Sequence, residues 1–174
     1  MDGSSAVELK QPSMTAQSLF DDQVAATETK KPTLFSMKAQ MLEQGRTDTV
    51  LAATEDMSVR IKVYASGGEN ELHSHPTEDH VFVLLQGSAR FYGPEGEVQD
   101  VSANEGFLMP AGMLYRFHAT STDECLVMLR VGTPNFQKQG EHDRLGEDGQ
   151  PLVGYSAENR ELPVIFKEGV FFGD

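Results

Sequence analysis

Tryptophan is absent from this 174-residue chain and cysteine occurs once, at Cys125. A lone cysteine excludes any intrachain disulfide, so the fold must be held by its core. Cys125 sits in Glu124-Cys125-Leu126-Val127-Met128-Leu129, a strand-like run in which a buried structural thiol is expected. Basic residues are scarce as well: 14 Lys and Arg face 27 Asp and Glu, a formal charge of −13. That charge repels phosphate backbones and anionic lipid, which removes the usual electrostatic case for nucleic-acid or membrane partners. A small-molecule substrate or another protein is the expected partner. No apolar run nears the roughly 18 residues a membrane span requires, and no charged-then-apolar leader opens the chain. A cytoplasmic, reducing location is therefore expected. There is no internal repeat of fixed period.

What is present is a series of short β-type runs. The length suits one domain with terminal extensions. Residues 1–31 are rich in Ser, Ala, Gln, Thr and acids and read as a flexible arm, with a short helix near Leu19, Phe20 and Val24. From Pro32 apolar residues recur. Met57 to Tyr64 alternates cleanly, with Val59, Ile61 and Val63 on one face and Arg60 and Lys62 on the other, the pattern of a half-buried strand. Val81–Gln86 is apolar on both faces. Gly87 breaks it, and Ser88–Tyr92 runs on to a turn at Gly93-Pro94-Glu95-Gly96. Val98–Val101, Gly106–Met109, Leu114–His118 and Glu124–Val131 follow as further strands. Short strands at this spacing indicate an all-β sandwich or barrel. Residues 133–174 form a polar, Gly-rich extension with two apolar runs, Leu162 to Phe166 and Val170 to Phe172, which need burial on the barrel or on a partner chain.

Three of the five histidines fall within Gly67-Gly-Glu-Asn-Glu-Leu-His73-Ser-His75-Pro-Thr-Glu-Asp-His80. On an extended strand His73 and His75 share one face, their Cα atoms about 6.6 Å apart, close enough for one ion. The turn at Pro76-Thr77-Glu78-Asp79 then brings His80 back toward them.

This segment resembles the first motif of the cupin superfamily: glycine, His-x-His, an acidic ligand position, and a closing glycine. Gly67, His73, His75 and Gly87 are in register with it. Asn104 to Tyr115, with Pro110-Ala111-Gly112 at its centre, resembles the second motif. The resemblance implies a single double-stranded β-helix, a jelly-roll barrel, over residues 32–132. It also implies a metal site, although His80 stands where glutamate is usual and Tyr115 where histidine is usual. On this reading His73, His75 and His80 are the metal ligands, and Tyr115 donates a hydrogen bond or proton beside them. Asp79 or Glu78 could supply the missing carboxylate, and His118 could enter only through a bulge. His142 reads as solvated. Of the remaining basic residues Arg116 faces outward by parity, while Arg130 either binds an anion or pairs with an acid at the rim. Phe82, Leu84, Phe107, Met109, Met113 and Phe117 would line a largely apolar pocket.

One divalent ion is implied, Fe(II) first, with Zn, Ni, Mn or Cu as alternatives. The resemblance implies a non-haem iron dioxygenase or oxygenase acting on a small organic substrate. A redox-neutral isomerase, lyase or cyclase is the alternative, and a non-catalytic small-molecule-binding cupin the second. A homodimer is expected, with the apolar C-terminal runs covering a sheet edge.

Overall fold

Period-two alternation dictates the architecture, because each strand presents one face to a barrel interior. The computed structural model describes residues 7–133, 144–152, 154 and 162–174. One five-stranded sheet runs in the order β2 (Arg46–Thr54), β3 (Met57–Tyr64), β10 (Leu126–Gly132), β5 (His80–Gln86) and β8 (Gly106–Met109). The facing sheet runs β11 (Leu145–Gly146), β4 (Gly68–Ser74), β9 (Tyr115–Ala119), β6 (Ser88–Tyr92) and β7 (Val98–Ser102). Every pairing within them is antiparallel. Gly87, at φ 75°, carries the chain from β5 in one sheet to β6 in the other, a conformation a side chain at that position would oppose. The turn at Gly93 to Gly96 closes the β6–β7 hairpin.

The interior is divided along the barrel. Phe82, Leu84, Phe91, Phe117, Leu126 and Met128 pack its lower part. A second core lies outside the wall, where Ile61, Val63, Cys125 and Val127 meet Leu42 and Leu51. The terminal strands β1 (Ala39–Gln44) and β12 (Ile165–Phe172) pair into a two-stranded cover over that outer core, with Phe166 and Phe172 packed against it. Val164, Phe166 and Phe172 of the C-terminal apolar runs are thus partly buried on their own barrel, whereas Leu162, Ile165 and Val170 stay exposed. The cover also revises the reading of β3. Val59, Ile61 and Val63 face the outer core, and Arg60 and Lys62, expected toward solvent, are buried.

Within the N-terminal stretch, α1 (Ala16–Thr27) starts at a capping box between Thr15 and Ser18 and packs on β2, next to a backbone bond from Ser13 N to Asp48 O of 2.8 Å. Among the described residues no helix is long and apolar enough to cross a membrane. His142 lies outside the described residues.

Gly68 shows how closely the neighbouring strands β4 and β9 approach: a Cβ there would sit 2.0 Å from the Phe117 carbonyl oxygen, a backbone atom that cannot swing aside. Gly68→Ala is expected to destabilise the protein by about 3 kcal/mol, the upper range of overpacking, measured as a lowered urea midpoint at unchanged m-value.

Candidate metal centre

The two glycine-bounded motifs meet at the upper end of the barrel. His73 is the last residue but one of β4, the Pro76 to Asp79 turn crosses to the other sheet, and His80 opens β5. The carbonyl of His75 accepts from Gly112 N at 2.9 Å, which fastens this turn to the second motif. Asp79 secures it from the other side, its Oδ1 accepting from Ala111 N at 2.7 Å. Asp79 is therefore directed at the Pro110 turn and away from the histidines. Its neighbour Glu78 is the carboxylate that turns inward.

His75, Glu78 and His80 each offer a donor atom within 4.8 Å of the others. His80 Nε2 lies 3.1 Å from Glu78 Oε2, and His75 Nδ1 lies 3.8 Å from the same oxygen. His75 Nδ1 is buried without a hydrogen-bond partner. The rings of His75 and His80 are 4.4 Å apart, and those of His73 and His75 5.4 Å. The expected trio thus lies together as rings, but the convergent donor set contains Glu78 where His73 was expected. His73 is tied at Nδ1, 2.8 Å from the Glu71 carbonyl, while its Nε2 lies 3.0 Å from Glu69 Oε2 and, like His75 Nδ1, is buried without a hydrogen-bond partner.

Tyr115 is buried with its hydroxyl 3.2 Å from His80 Nδ1. Burial, then the Glu69 carboxylate, push its phenol well above the ordinary value, so it stays protonated. This geometry suits an orienting hydrogen bond better than ligation. His118 lies on the opposite face of β9, edge-on to the Tyr92 ring, over which Arg116 also stacks at 4.4 Å. Both sit outside the barrel.

Arg130 is the feature that sequence placed only loosely. It follows Leu126 and Met128 on the inward face of β10, 2% exposed, and its Nη2 lies 2.8 Å from Glu78 Oε1 and in close contact with His80 Nε2. Its Nη1 reaches Ser58 Oγ at 3.4 Å. Room for the pair comes from Gly132, where a Cβ would fall 2.1 Å from Glu78 Oε1. Behind it run further buried ion pairs: Arg60 and Lys62 on Asp48 at 3.3 and 3.6 Å, and Lys62 on Glu69 at 2.7 Å. The mouth is consequently charged rather than apolar. Of the expected apolar lining, Phe82, Leu84, Met109 and Phe117 belong to the core, whereas Met113 is half exposed.

These charges set the protonation states. Burial and the positive charge of Arg130 push the His80 imidazole down to about 3. Burial, with His80 and His73 beside it, holds His75 well below the ordinary range too. Burial would raise the Glu78 carboxyl, but Arg130 and His80 overcome it and hold it far below the usual carboxylate range. Two neutral imidazoles and one carboxylate fit a divalent ion, and the unpartnered His75 nitrogen is the atom such an ion would satisfy. The Arg130 head is its competitor for the same two donors.

Several known proteins resemble this chain. A family profile described as "Cupin domain" matches residues 60–131. The uncharacterized protein YdbB of Bacillus subtilis is 30% identical over 66 residues, 38% of this chain and 57% of that protein. The chain thus spans little more than half of that relative's length. Among solved structures, a conserved Klebsiella pneumoniae protein with a double-stranded β-helix domain superposes with a TM-score of 0.51 at 18% identity, over 60% of this chain and 92% of its own. Streptomyces PAC13, solved with uridine, gives 0.51 at 14% identity, over 77% and 99%. At these identities the structures speak to the fold.

Acid should destabilise the metal-free protein early. An ordinary imidazole titrates at 6.5 and His80 in the fold at about 3, so between these values the unfolded chain binds the extra proton. Stability present above pH 6.5 is lost on the way down, by up to about 1.4 kcal/mol per pH unit for each such imidazole. Glu69 and Glu78, held below 4.5, add to the loss at lower pH. Urea midpoints across this window should slope downward with falling pH, and His80→Gln should flatten the slope; an unchanged slope would contradict the assignment.

Proposed function

We propose, on the premise that the chain is a cupin by the family match over residues 60–131 and by the fold of its barrel, that it is a metal-dependent enzyme acting on a small organic molecule. His75, Glu78 and His80 are the ligands in this reading. The observation that carries it is their convergence within 4.8 Å around a buried His75 nitrogen that lacks a partner. Two histidines and one carboxylate form the donor set associated with non-haem Fe(II) oxygenases, so oxygenation is the first reaction class. Bound there, iron would supply the electrons for O₂ chemistry, and a redox-silent ion would instead polarise a substrate carbonyl.

The chain's own residues do the rest. Tyr115 holds His80 through Nδ1 and keeps its proton, so it orients the ring and presents a donor at the mouth. The Glu71 carbonyl holds the His73 ring through Nδ1, with the Glu69 carboxylate 3.0 Å from Nε2, and the ring forms a wall beside Tyr115. The Phe82 and Phe117 floor closes the lower barrel to water.

A second reading is favoured by Arg130. Its guanidinium already lies on Glu78 and His80, as a resident cation would, and a cupin in that state would bind its small molecule without metal.

Metal analysis separates the two. His75→Ala is the informative variant, because it removes a donor without stranding Arg130; loss of Glu78 would leave a buried charge unpaired at a cost of about 3–5 kcal/mol. On the first reading, protein reconstituted with iron, zinc, nickel or manganese retains one near-stoichiometric ion. His75→Ala loses it, and Arg130→Gln binds it more tightly, as judged by competition with a chromophoric chelator. No retained metal in wild type, with none gained in Arg130→Gln, would leave the metal-free reading. Oxygen consumption by the iron-loaded protein over a substrate panel then tests the reaction class.

A further inference from the structure

Arg144 has no role in the site described so far. It directly precedes β11, whose Leu145 and Gly146 pair with Ser74 and His73 of β4, and this pairing sets it beside the barrel mouth. The residue is only 8% exposed. Its Nη2 lies 3.7 Å from Glu69 Oε2, beyond hydrogen-bonding reach, and both Nε and Nη2 are buried without a hydrogen-bond partner. Gly154 leaves the space against Nη1, where a Cβ would come within 2.5 Å. Each buried donor left unmet costs about 1–3 kcal/mol, so a guanidinium with two of them is built for a partner that the described residues do not supply.

The surrounding charge says what that partner is. Arg46, Arg60, Lys62, Arg130 and Arg144 stand in the ion-pair network of the barrel, against Asp48, Glu69 and Glu78. Adding half-buried Glu71 still leaves the cations in excess among the described residues. Glu69, the nearest carboxylate to Arg144, is already shared with Lys62, Arg46 and His73. The excess is internal to a chain whose net charge is −13. An anion entering here meets a planar fork with two free donors, which matches the two oxygens of a carboxylate or phosphate.

We propose that Arg144 binds the anionic group, carboxylate or phosphate, of the small-molecule substrate, with the rest of that molecule passing His73 and Tyr115 toward His75, Glu78 and His80. The assignment of the bound molecule as substrate rests on the enzyme reading above; the anion site itself does not need the metal.

The test uses the full chain stripped of metal by chelator. Isothermal titration with oxalate and with inorganic phosphate, each against chloride at equal ionic strength, is run on wild type, Arg144→Gln, Arg144→Lys and Arg90→Gln. Arg90 pairs with Asp100 on the surface and serves as the control for lost charge. Wild type is expected to bind at least one of the two anions, which also tells carboxylate from phosphate. Arg144→Gln should weaken that binding about tenfold or more, Arg144→Lys should fall between, and Arg90→Gln should match wild type. Thermal melts without anion establish that each variant is folded, and the lysine variant carries the test if the glutamine variant is not. Wild type that binds neither anion above chloride overturns the proposal, as does wild-type affinity in the folded Arg144 variants. Metal retained after reconstituting part of the same preparations with iron, zinc, nickel or manganese keeps the two readings apart. Anion binding lost in Arg144→Gln with no metal in wild type leaves the anchor standing and removes the metal enzyme; retained metal with no Arg144 effect does the reverse.

Discussion

The Arg130–Glu78 pair is the interaction on which the rest of the mouth depends. A guanidinium 2% exposed inside a barrel is tolerable only with its countercharge in contact, and Glu78 is brought there by the Pro76 to Asp79 turn. The pair ties β10 to the connection between β4 and β5, so the histidine turn is held from inside by charge and from outside by Asp79 on Ala111. Gly132 is required for the same reason, since any side chain there would occupy the volume of the carboxylate. Protonation follows from this arrangement. Burial and the positive charge keep His80 neutral, and in the tautomer whose Nδ1–H donates to the Tyr115 hydroxyl the Nε2 lone pair faces Arg130 and is the one an ion would compete for.

The barrel is divided into an apolar floor and a charged mouth, and the wall strands serve both. β3 and β10 are buried on both faces: Tyr64, Leu126 and Met128 pack inward, while Ile61, Val63 and Val127 pack outward under β1 and β12. The terminal strands therefore make a second core that frees one face of β3 to carry Arg60 and Lys62 inside. Without that cover the wall would have to turn its aliphatic face inward, and the buried ion pairs would have no place.

Much of this was legible in the sequence. The strands from Val98 to Val131 and the break at Gly87 follow from alternation and glycine placement. Periodicity fixes the phase of a strand but not which face looks inward, and for β3 nothing local shows that another strand covers the aliphatic face. Arg130 carried a usable signal, as it is in phase with Leu126 and Met128. Glu69 carried a weaker one: it lies four residues before His73 and so shares its face, but the register shift between Glu69 and His73 makes parity an uncertain guide there. Glu78 against Asp79 was open because a turn has no alternation to read; the hydrogen bond from Ala111 to Asp79 decides it in space.

The contrast between an acidic exterior and a cation-rich mouth has a kinetic consequence. At long range an approaching anion meets the net charge of −13, and only within the Debye length, about 10 Å at 0.1 M salt, does the local surplus of arginine and lysine prevail. Raising ionic strength screens the outer repulsion before it weakens the buried contacts. Entry of an anion should therefore speed up with salt while its final hold loosens, so that rate and affinity respond to the medium in opposite directions.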